Sequence, residues 1–245
     1  MNEISIIFII YFYISIIIFL FGIIYIVVKW IFSRKGITGT YLGFPYLFTY
    51  PGQENIIDAL KNILKRIFLF PTMKYDRTMR YFSLMFHYSL AIIILAHFDL
   101  FLEPYLVSAG VSQITIETIS FYVGNILGAI FIISGLYLLL RRLLNQYLRK
   151  ISNIDDYFSI LLLLSFGFSG MLIRFLLPSS FAYNQVSQFI LSLFILKPIS
   201  IPFQPIFLVH FTLACTLVIY IPLSKLIHPF SFFTNPTLYT TFHER

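Results

Sequence analysis

Four histidines in two long apolar segments are the residues of this chain whose type and spacing predict chemistry. His87 and His97 lie in one such segment, and His210 and His228 lie in another near the C-terminus. Ten residues separate the first pair and eighteen the second, which correspond to about 15 Å and about 27 Å of helix rise. Ionisable side chains at membrane depth are costly to bury and are functional candidates for that reason.

The composition places these histidines in a membrane protein. Of the 245 residues, 59% are hydrophobic and 11% are charged, whereas a soluble domain carries about 25% charged residues. Such a chain cannot cover itself with polar surface, which excludes a soluble enzyme, a disordered regulator and a disulfide scaffold. A single cysteine, Cys215, cannot hold an iron–sulfur cluster, and the absence of a CxxCH motif excludes covalent c-type haem.

Five segments have the length and apolarity of membrane spans, at about residues 4–30, 82–102, 118–140, 157–177 and 205–227. They predict an all-α fold, an integral membrane bundle of five transmembrane helices in one domain covering residues 1–245. The first lacks the features of a cleaved signal peptide and is expected to stay. Two shorter apolar stretches, Phe181–Leu196 and Ile63–Phe70, are expected to be re-entrant or interfacial.

The basic residues orient the bundle. Residues 29–80 contain nine of them, the loop after the third span adds four, and the C-terminal part adds two, so that fifteen of 17 lie on one side. Arg174 and Lys197 are left for the other side. The positive-inside rule then predicts an outside N-terminus and a cytoplasmic C-terminus in the plasma membrane, and the net charge of +7 does not indicate nucleic acid.

The cytoplasmic loop 31–81 begins with turn-forming glycines and prolines and then carries an amphipathic stripe over about residues 54–70. Apolar residues recur there at helical spacing, with Lys61, Lys65 and Arg66 elsewhere on the wheel. This pattern predicts a helix lying in the membrane interface, which is compatible with docking a cytoplasmic partner.

The topology pairs the histidines by depth. The second and fifth spans are antiparallel, so His87 lies at the level of His228 near the inside and His97 at the level of His210 nearer the outside. Two stacked bis-histidine sites are typical of a dihaem b-type cytochrome. The axial separations differ by about 12 Å, which helix tilt could absorb, and Pro222 is expected to kink the fifth span, with Pro229 ending it.

Other interpretations of the histidines remain open from the residues alone. Each could be a solitary polar residue bonded inside the bundle. Zinc is the poorer alternative, because only two ligands share each depth and no carboxylate or cysteine converges on them. His243, in the C-terminal tail, is expected to be solvated.

At these residues the chain resembles a known family, the gamma subunit of respiratory nitrate reductase. The segments Phe86-His87-Tyr88 to Ala96-His97-Phe98 and Val209-His210-Phe211 to Ile227-His228 are similar to its second-span and fifth-span haem motifs. Within the superfamily, Pro222–Pro229 continuing into Phe232-Phe233-Thr234-Asn235-Pro236 resembles most the membrane cytochrome of the sulfite-reduction-associated electron transport complex. The heterodisulfide reductase membrane subunit is also similar.

The resemblance implies two haem b cofactors, the inner ligated by His87 and His228 and the outer by His97 and His210. It implies oxidation of a membrane quinol and electron transfer to a cytoplasmic iron–sulfur subunit, of heterodisulfide reductase or nitrate reductase beta type. The open alternatives are the nitrate reductase subunit itself and a haem-free membrane anchor or transporter.

Further charged residues and glycines are secondary candidates. Asp99 is a candidate acceptor of a quinol proton or an exposed span end, with Glu103 a weaker candidate. Arg174 could bind a quinone oxygen, pair with a haem propionate or snorkel to the interface. Arg141 and Arg142 could meet the inner propionates or simply follow the positive-inside pattern. Three spaced glycines of the third span are expected mainly to permit close helix packing, and the alternative is that they leave room for a macrocycle: Gly124, Gly128 and Gly135.

Overall fold

A computed structural model describes residues 2–31, 61, 64–65, 68–70, 73 and 75–228. In this part of the chain every regular element is helical. The helices are α1 (Glu3–Ile31), α2 (Arg77–Ala96), α3 (Asp99–Ser108), α4 (Gln113–Leu144), α5 (Gln146–Ile151), α6 (Ile154–Leu176), α7 (Ser187–Phe194) and α8 (Pro205–Tyr220). A π-helical turn, Ala182–Val186, precedes α7, and two 3₁₀ turns, Ile221–Leu223 and Lys225–Ile227, follow α8.

Five helices among the described residues are long and apolar enough to cross a membrane, which confirms the predicted number of spans. They are Glu3–Lys29, Arg77–Ala96, Gln113–Leu144, Ile154–Leu176 and Pro205–Leu223. Many of their large apolar side chains are exposed, such as Ile7 (65%) and Phe21 (70%) on α1. Exposed apolar surface of this extent is what lipid covers in a multi-pass membrane protein.

The described residues divide into two compact units. The first contains residues 1–15 and 81–217, and the second contains residues 16–80 and 218–245. In the second unit, Gly22 of α1 lies against Pro222, where an added Cβ would come within 2.5 Å of the proline ring. A residue without a side chain is needed at position 22 for that approach.

The second span is shorter at its C-terminal end than the expected 82–102. Helix α2 begins at Arg77 and ends at Ala96, and α3 begins at Asp99 as a separate helix. The carbonyl oxygen of Ile93 accepts two hydrogen bonds from His97, one from the backbone N–H at 3.2 Å and one from Nδ1 at 2.7 Å. This shared acceptor lies where the helical ladder stops, so His97 occupies the junction between α2 and α3.

The fifth span also differs from the expected continuous helix. Helix α8 ends at Tyr220, and the chain continues in two 3₁₀ turns up to His228. Pro222 has no N–H to donate to the carbonyl of Val218, so the α-helical hydrogen bonding is interrupted there. The rise of about 27 Å for residues 210–228 was calculated for one continuous α-helix, whereas α8 ends at Tyr220.

The packing of α4 against α6 forms the middle of the first unit. Gly128 and Gly135 of α4 face Met171 and Leu164 of α6, and an added Cβ at either position would overlap those side chains. These contacts support the interpretation of both glycines as packing residues, and Gly128 also lines the cavity described below. Helix α4 starts at an N-cap, Ser112, whose hydroxyl accepts the N–H of Thr115 at 3.2 Å.

A second apolar core lies among α1, α7 and α8. Phe189 and Leu193 of α7 are 0% and 1% exposed and pack with Phe207 and Phe211 of α8. Three polar contacts attach α1 to this core: Ser5 to Ile201, Tyr11 to Thr216 and Tyr13 to Leu193. The stretch 181–196, expected to be re-entrant or interfacial, contains the π turn and α7, and one face of α7 is buried in this core.

Several expectations fall wholly or mostly outside the described residues. They are the loop 31–81 with its interfacial helix at 54–70, the stretch Ile63–Phe70, Pro229, the tail motif at 232–236 and His243. Within that loop, Lys61, Leu64, Lys65, Phe68 and Leu69 are described and have helical backbone.

Candidate functional site

His97 and His210 lie together, as the depth pairing predicted. Their ring centroids are 6.4 Å apart and their planes differ by 12°. His97 comes from the α2–α3 junction and is exposed, whereas His210 comes from the second turn of α8 and is half-buried. Residues 113 positions apart in the sequence thus present two nearly parallel imidazoles to one space.

Each of these imidazoles is held through its Nδ1 atom. His97 Nδ1 lies 2.7 Å from the carbonyl oxygen of Ile93, and His210 Nδ1 lies 2.9 Å from the hydroxyl of Ser169 on α6. A carbonyl only accepts, so Nδ1 of His97 carries the hydrogen, and its neutral ring has the lone pair on Nε2. No hydrogen bond to Nε2 of either residue occurs in the described part of the chain.

The two histidines line a cavity of about 190 Å³ inside the first unit. Its walls are mainly apolar side chains of α2, α4 and α6, such as Leu90, Phe131 and Met171. Phe166 stacks on the His210 ring at a centroid distance of 4.3 Å. An apolar space with a few convergent polar groups is typical of a cofactor or small-molecule site.

A polar cluster closes one part of the same cavity, and it contains both residues predicted for quinol chemistry. Asp99 Oδ2 accepts hydrogen bonds from the hydroxyls of Ser120 (3.0 Å) and Tyr183 (3.1 Å). Arg174 donates from Nη1 to the carbonyl oxygen of Ser120 at 2.7 Å. Four elements (α3, α4, α6 and the π turn) therefore bring their polar groups to one point, with Ser120 joining the carboxylate and the guanidinium.

The state of this cluster follows from its surroundings. Burial raises the pKa of the Tyr183 phenol to about 12, so the phenol stays protonated and donates to Asp99. Arg174 lines the cavity and bonds the carbonyl of Ser120, which favours a role there over snorkelling. Gly124 permits this, because a Cβ there would overlap the Arg174 guanidinium.

The spacing of His97 and His210 fits a haem group that the two imidazoles would hold together. A metal–imidazole nitrogen bond is about 2.0–2.1 Å, so two imidazoles on one metal atom have ring centroids up to roughly 6.3 Å apart. Bonded Nδ1 atoms are also typical of ligating histidines, since they fix the ring orientation. No group of three or more His, Cys, Asp or Glu side chains suitable for a metal occurs among the described residues, so a tetrahedral zinc site lacks its ligands there.

In the other predicted pair, each histidine has a backbone carbonyl at its Nδ1 atom. His87 Nδ1 lies 2.7 Å from the carbonyl of Ser83, and His228 Nδ1 lies 3.0 Å from the carbonyl of Lys225. His87 belongs to the first unit and His228 to the second. Their joint ligation of an inner haem stays a prediction.

Sequence reasoning missed Ser120, Ser169 and Tyr183. Serines are common in these helices and carry no spacing signal, and Tyr183 is one of 17 tyrosines.

Arg142, a candidate partner of the inner propionates, has other partners in the structure. Its guanidinium bonds Asp156 at 3.2 Å and Ser152 at 2.9 Å. It therefore ties the α5 connection to α6. Glu103 is not among the residues that line the cavity.

Comparisons with known proteins find relatives of this chain. The family model of the nitrate reductase gamma subunit matches residues 72–243, which include all four paired histidines. The Hdr-like menaquinol oxidoreductase cytochrome b-like subunit of Archaeoglobus fulgidus is 29% identical over 92% of this chain and 76% of its own length. The subunit of the same name from Archaeoglobus profundus is 30% identical over 64% of this chain and 48% of its own length. With more than half of its length matched, the chain belongs to the nitrate reductase gamma subunit family, as its histidine motifs indicated.

Proposed function

We propose that this protein is a dihaem b-type cytochrome subunit of a respiratory oxidoreductase, which oxidises a membrane quinol and delivers the electrons to a cytoplasmic iron–sulfur partner. The observation that carries the proposal is the 6.4 Å, nearly parallel arrangement of His97 and His210 in an apolar cavity. His97 and His210 would hold the outer haem b, and His87 and His228 the inner one. When bound, each haem iron takes up and releases one electron at a time.

The chain's own residues supply the proton chemistry. Asp99 lies in the cavity that His97 and His210 line, where its carboxylate can accept a proton from a quinol hydroxyl. Tyr183 and Ser120 hold that carboxylate, and Arg174 on the far side of Ser120 can donate to a quinone oxygen. The names of the relatives support menaquinol as the substrate.

The orientation and partner belong to the same proposal. The distribution of basic residues supports a single membrane domain in the plasma membrane, with the N-terminus outside and the C-terminus in the cytoplasm. Two haems in series suit a hydrocarbon core of about 30 Å. One cysteine cannot hold an iron–sulfur cluster, so the electrons leave through a cluster on another chain, of heterodisulfide reductase or nitrate reductase beta type.

The test is a reduced-minus-oxidised spectrum of the purified protein with its haem content, for the wild type and four variants. We expect two haems b in the wild type. His97→Ala and His210→Ala should each remove the same outer haem, and His87→Ala and His228→Ala the inner one. His243→Ala is the control and should retain both. A wild type without b-type absorbance, under expression that supplies haem, would favour the haem-free anchor instead.

The quinol site is tested separately by Asp99→Asn and Arg174→Gln in quinol-to-haem reduction assays. We expect the reduction rate to fall at least tenfold with haem content unchanged, and Glu103→Gln to match the wild type. Loss of the outer haem in Arg174→Gln would assign that residue to a propionate and overturn its quinol role.

The soluble partner is identified by co-purification. A co-purifying molybdenum protein would identify nitrate reductase proper, whereas a heterodisulfide-reductase-like protein would identify the sulfur branch.

A further inference from the structure

We infer that Ser169 is a positioning residue for His210: its hydroxyl fixes the tautomer and orientation of the imidazole so that Nε2 is the ligating atom. The inference rests on the proposed function, because it concerns the ligand of the outer haem. It starts from a difference among the four paired histidines. Three bond a carbonyl three or four residues back in their own segment, whereas His210 bonds a side chain of another helix.

The hydrogen atoms in this contact can be assigned from the acceptors. Ser169 Oγ lies 2.9 Å from the carbonyl oxygen of Phe166 and 2.9 Å from His210 Nδ1. The carbonyl only accepts, so the single hydroxyl hydrogen of Ser169 points to Phe166. The hydroxyl oxygen therefore accepts from His210, and Nδ1 must carry a hydrogen. In the neutral ring, the lone pair then resides on Nε2.

Three residues of α6 form the surface that contacts the His210 imidazole: Phe166, Ser169 and Gly170. Phe166 stacks on the imidazole, with ring planes that differ by 16°. Gly170 leaves room for it, since an added Cβ would lie 3.2 Å from His210 Cε1. Stacking fixes the plane of the ring but not its tautomer. The hydroxyl contacts Nδ1 specifically, and Ser169 is buried, at 4% exposure, so water does not replace it readily.

The consequence reaches the electron chemistry of the site. A hydrogen bond from Nδ1–H makes the imidazole a stronger donor, which favours the oxidised metal. Removing the acceptor should raise the midpoint potential of the outer haem. Loss of such an outer partner typically weakens metal binding by about 10- to 100-fold. The inner haem, whose ligands bond backbone carbonyls, should keep its potential.

The experiment compares Ser169→Ala, Ser169→Thr and Ser134→Ala in the intact protein. Ser134 is the matched control, since it is fully buried on α4 and bonds only the carbonyls of Ile130 and Phe131. Redox titration and electron paramagnetic resonance report each haem separately. We expect Ser169→Ala alone to shift the outer haem to higher potential and change its low-spin signal, with Ser169→Thr restoring both.

Unchanged outer-haem properties in Ser169→Ala would overturn the inference and leave the dihaem proposal intact. An equal shift in Ser134→Ala would also overturn it, because general packing would then be the cause. Nitrogen-15 spectra of histidine-labelled, haem-free protein give a readout that does not need the cofactor. We expect the Nδ1–H tautomer at His210 in the wild type and a mixture in Ser169→Ala. A wild type that never binds haem would refute the proposed function but not this tautomer assignment.

Discussion

At the scale of single residues, each of the four paired histidines is held at Nδ1 by a neutral oxygen acceptor. The imidazoles of His87, His97 and His228 each have Nδ1 on a carbonyl, and Ser169 does the same for His210 through a hydroxyl. Backbone carbonyls one turn back serve as acceptors without any dedicated side chain, so this arrangement leaves no trace in the sequence beyond the histidine itself.

Tyr183→Phe tests the carboxylate cluster at this scale. The phenol donates to Asp99, and hydrogen bonds to charged groups contribute about 1.5–3 kcal/mol, so kcat/KM for quinol should fall about tenfold or more. Quinol oxidation rates of the variant and the wild type give this result.

Tyr122→Phe is the control for this variant, because Tyr122 lies on α4 with 63% of its surface exposed. It should match the wild type in rate. If Tyr183→Phe did the same, the phenol would have no part in quinol oxidation, whatever its contact with Asp99.

At the scale of elements, the points at which helices end determine where the functional residues lie. The α2–α3 break places His97 at a junction and starts α3 at Asp99, where a carboxylate also suits the positive end of the helix dipole. The end of α8 at Tyr220 places His228 after two tight turns. Sequence patterns predicted continuous spans at both places, because hydropathy continues through the breaks.

Gly124→Ala tests whether Arg174 needs the space that the missing side chain of Gly124 leaves beside α4. The new methyl group would overlap the guanidinium and displace it from the carbonyl of Ser120, at the loss of a charge-assisted hydrogen bond. We expect kcat/KM for quinol to fall about tenfold, with both haems retained in the spectrum.

The same substitution at Gly135 is the structural control, because a Cβ there meets Leu164 and Phe86 at 2.8 and 3.1 Å, away from the polar cluster. It should lower the unfolding temperature and leave the KM for quinol unchanged. A loss of quinol affinity in Gly135→Ala comparable with that in Gly124→Ala would attribute both effects to helix packing.

At the scale of the whole molecule, the proposed orientation makes a direct prediction about accessibility. The native Cys215 is buried, so single cysteines can be introduced into the wild-type background. With Ala109→Cys, in the connection before α4, we expect labelling by a membrane-impermeant maleimide in intact cells. With Gln146→Cys, at the start of α5, we expect labelling only after permeabilisation. The reverse pattern would place the N-terminus in the cytoplasm.

The sequence by itself determined the membrane class, the number of spans, the four histidines and their family. These follow from local properties, since hydropathy and motif spacing are read along a single stretch of chain. It also predicted that His97 would face His210, because two antiparallel spans of known length leave little freedom in depth.

Only the tertiary structure decided which other side chains complete the site. Ser120, Ser169 and Tyr183 gain their roles from contacts across 21, 41 and 84 residues of sequence, and no periodicity encodes such contacts. The structure also decided where the helices stop. Pro222 marks one end through its missing N–H, a local cause, but whether a helix kinks or ends there depends on the packing of its surroundings.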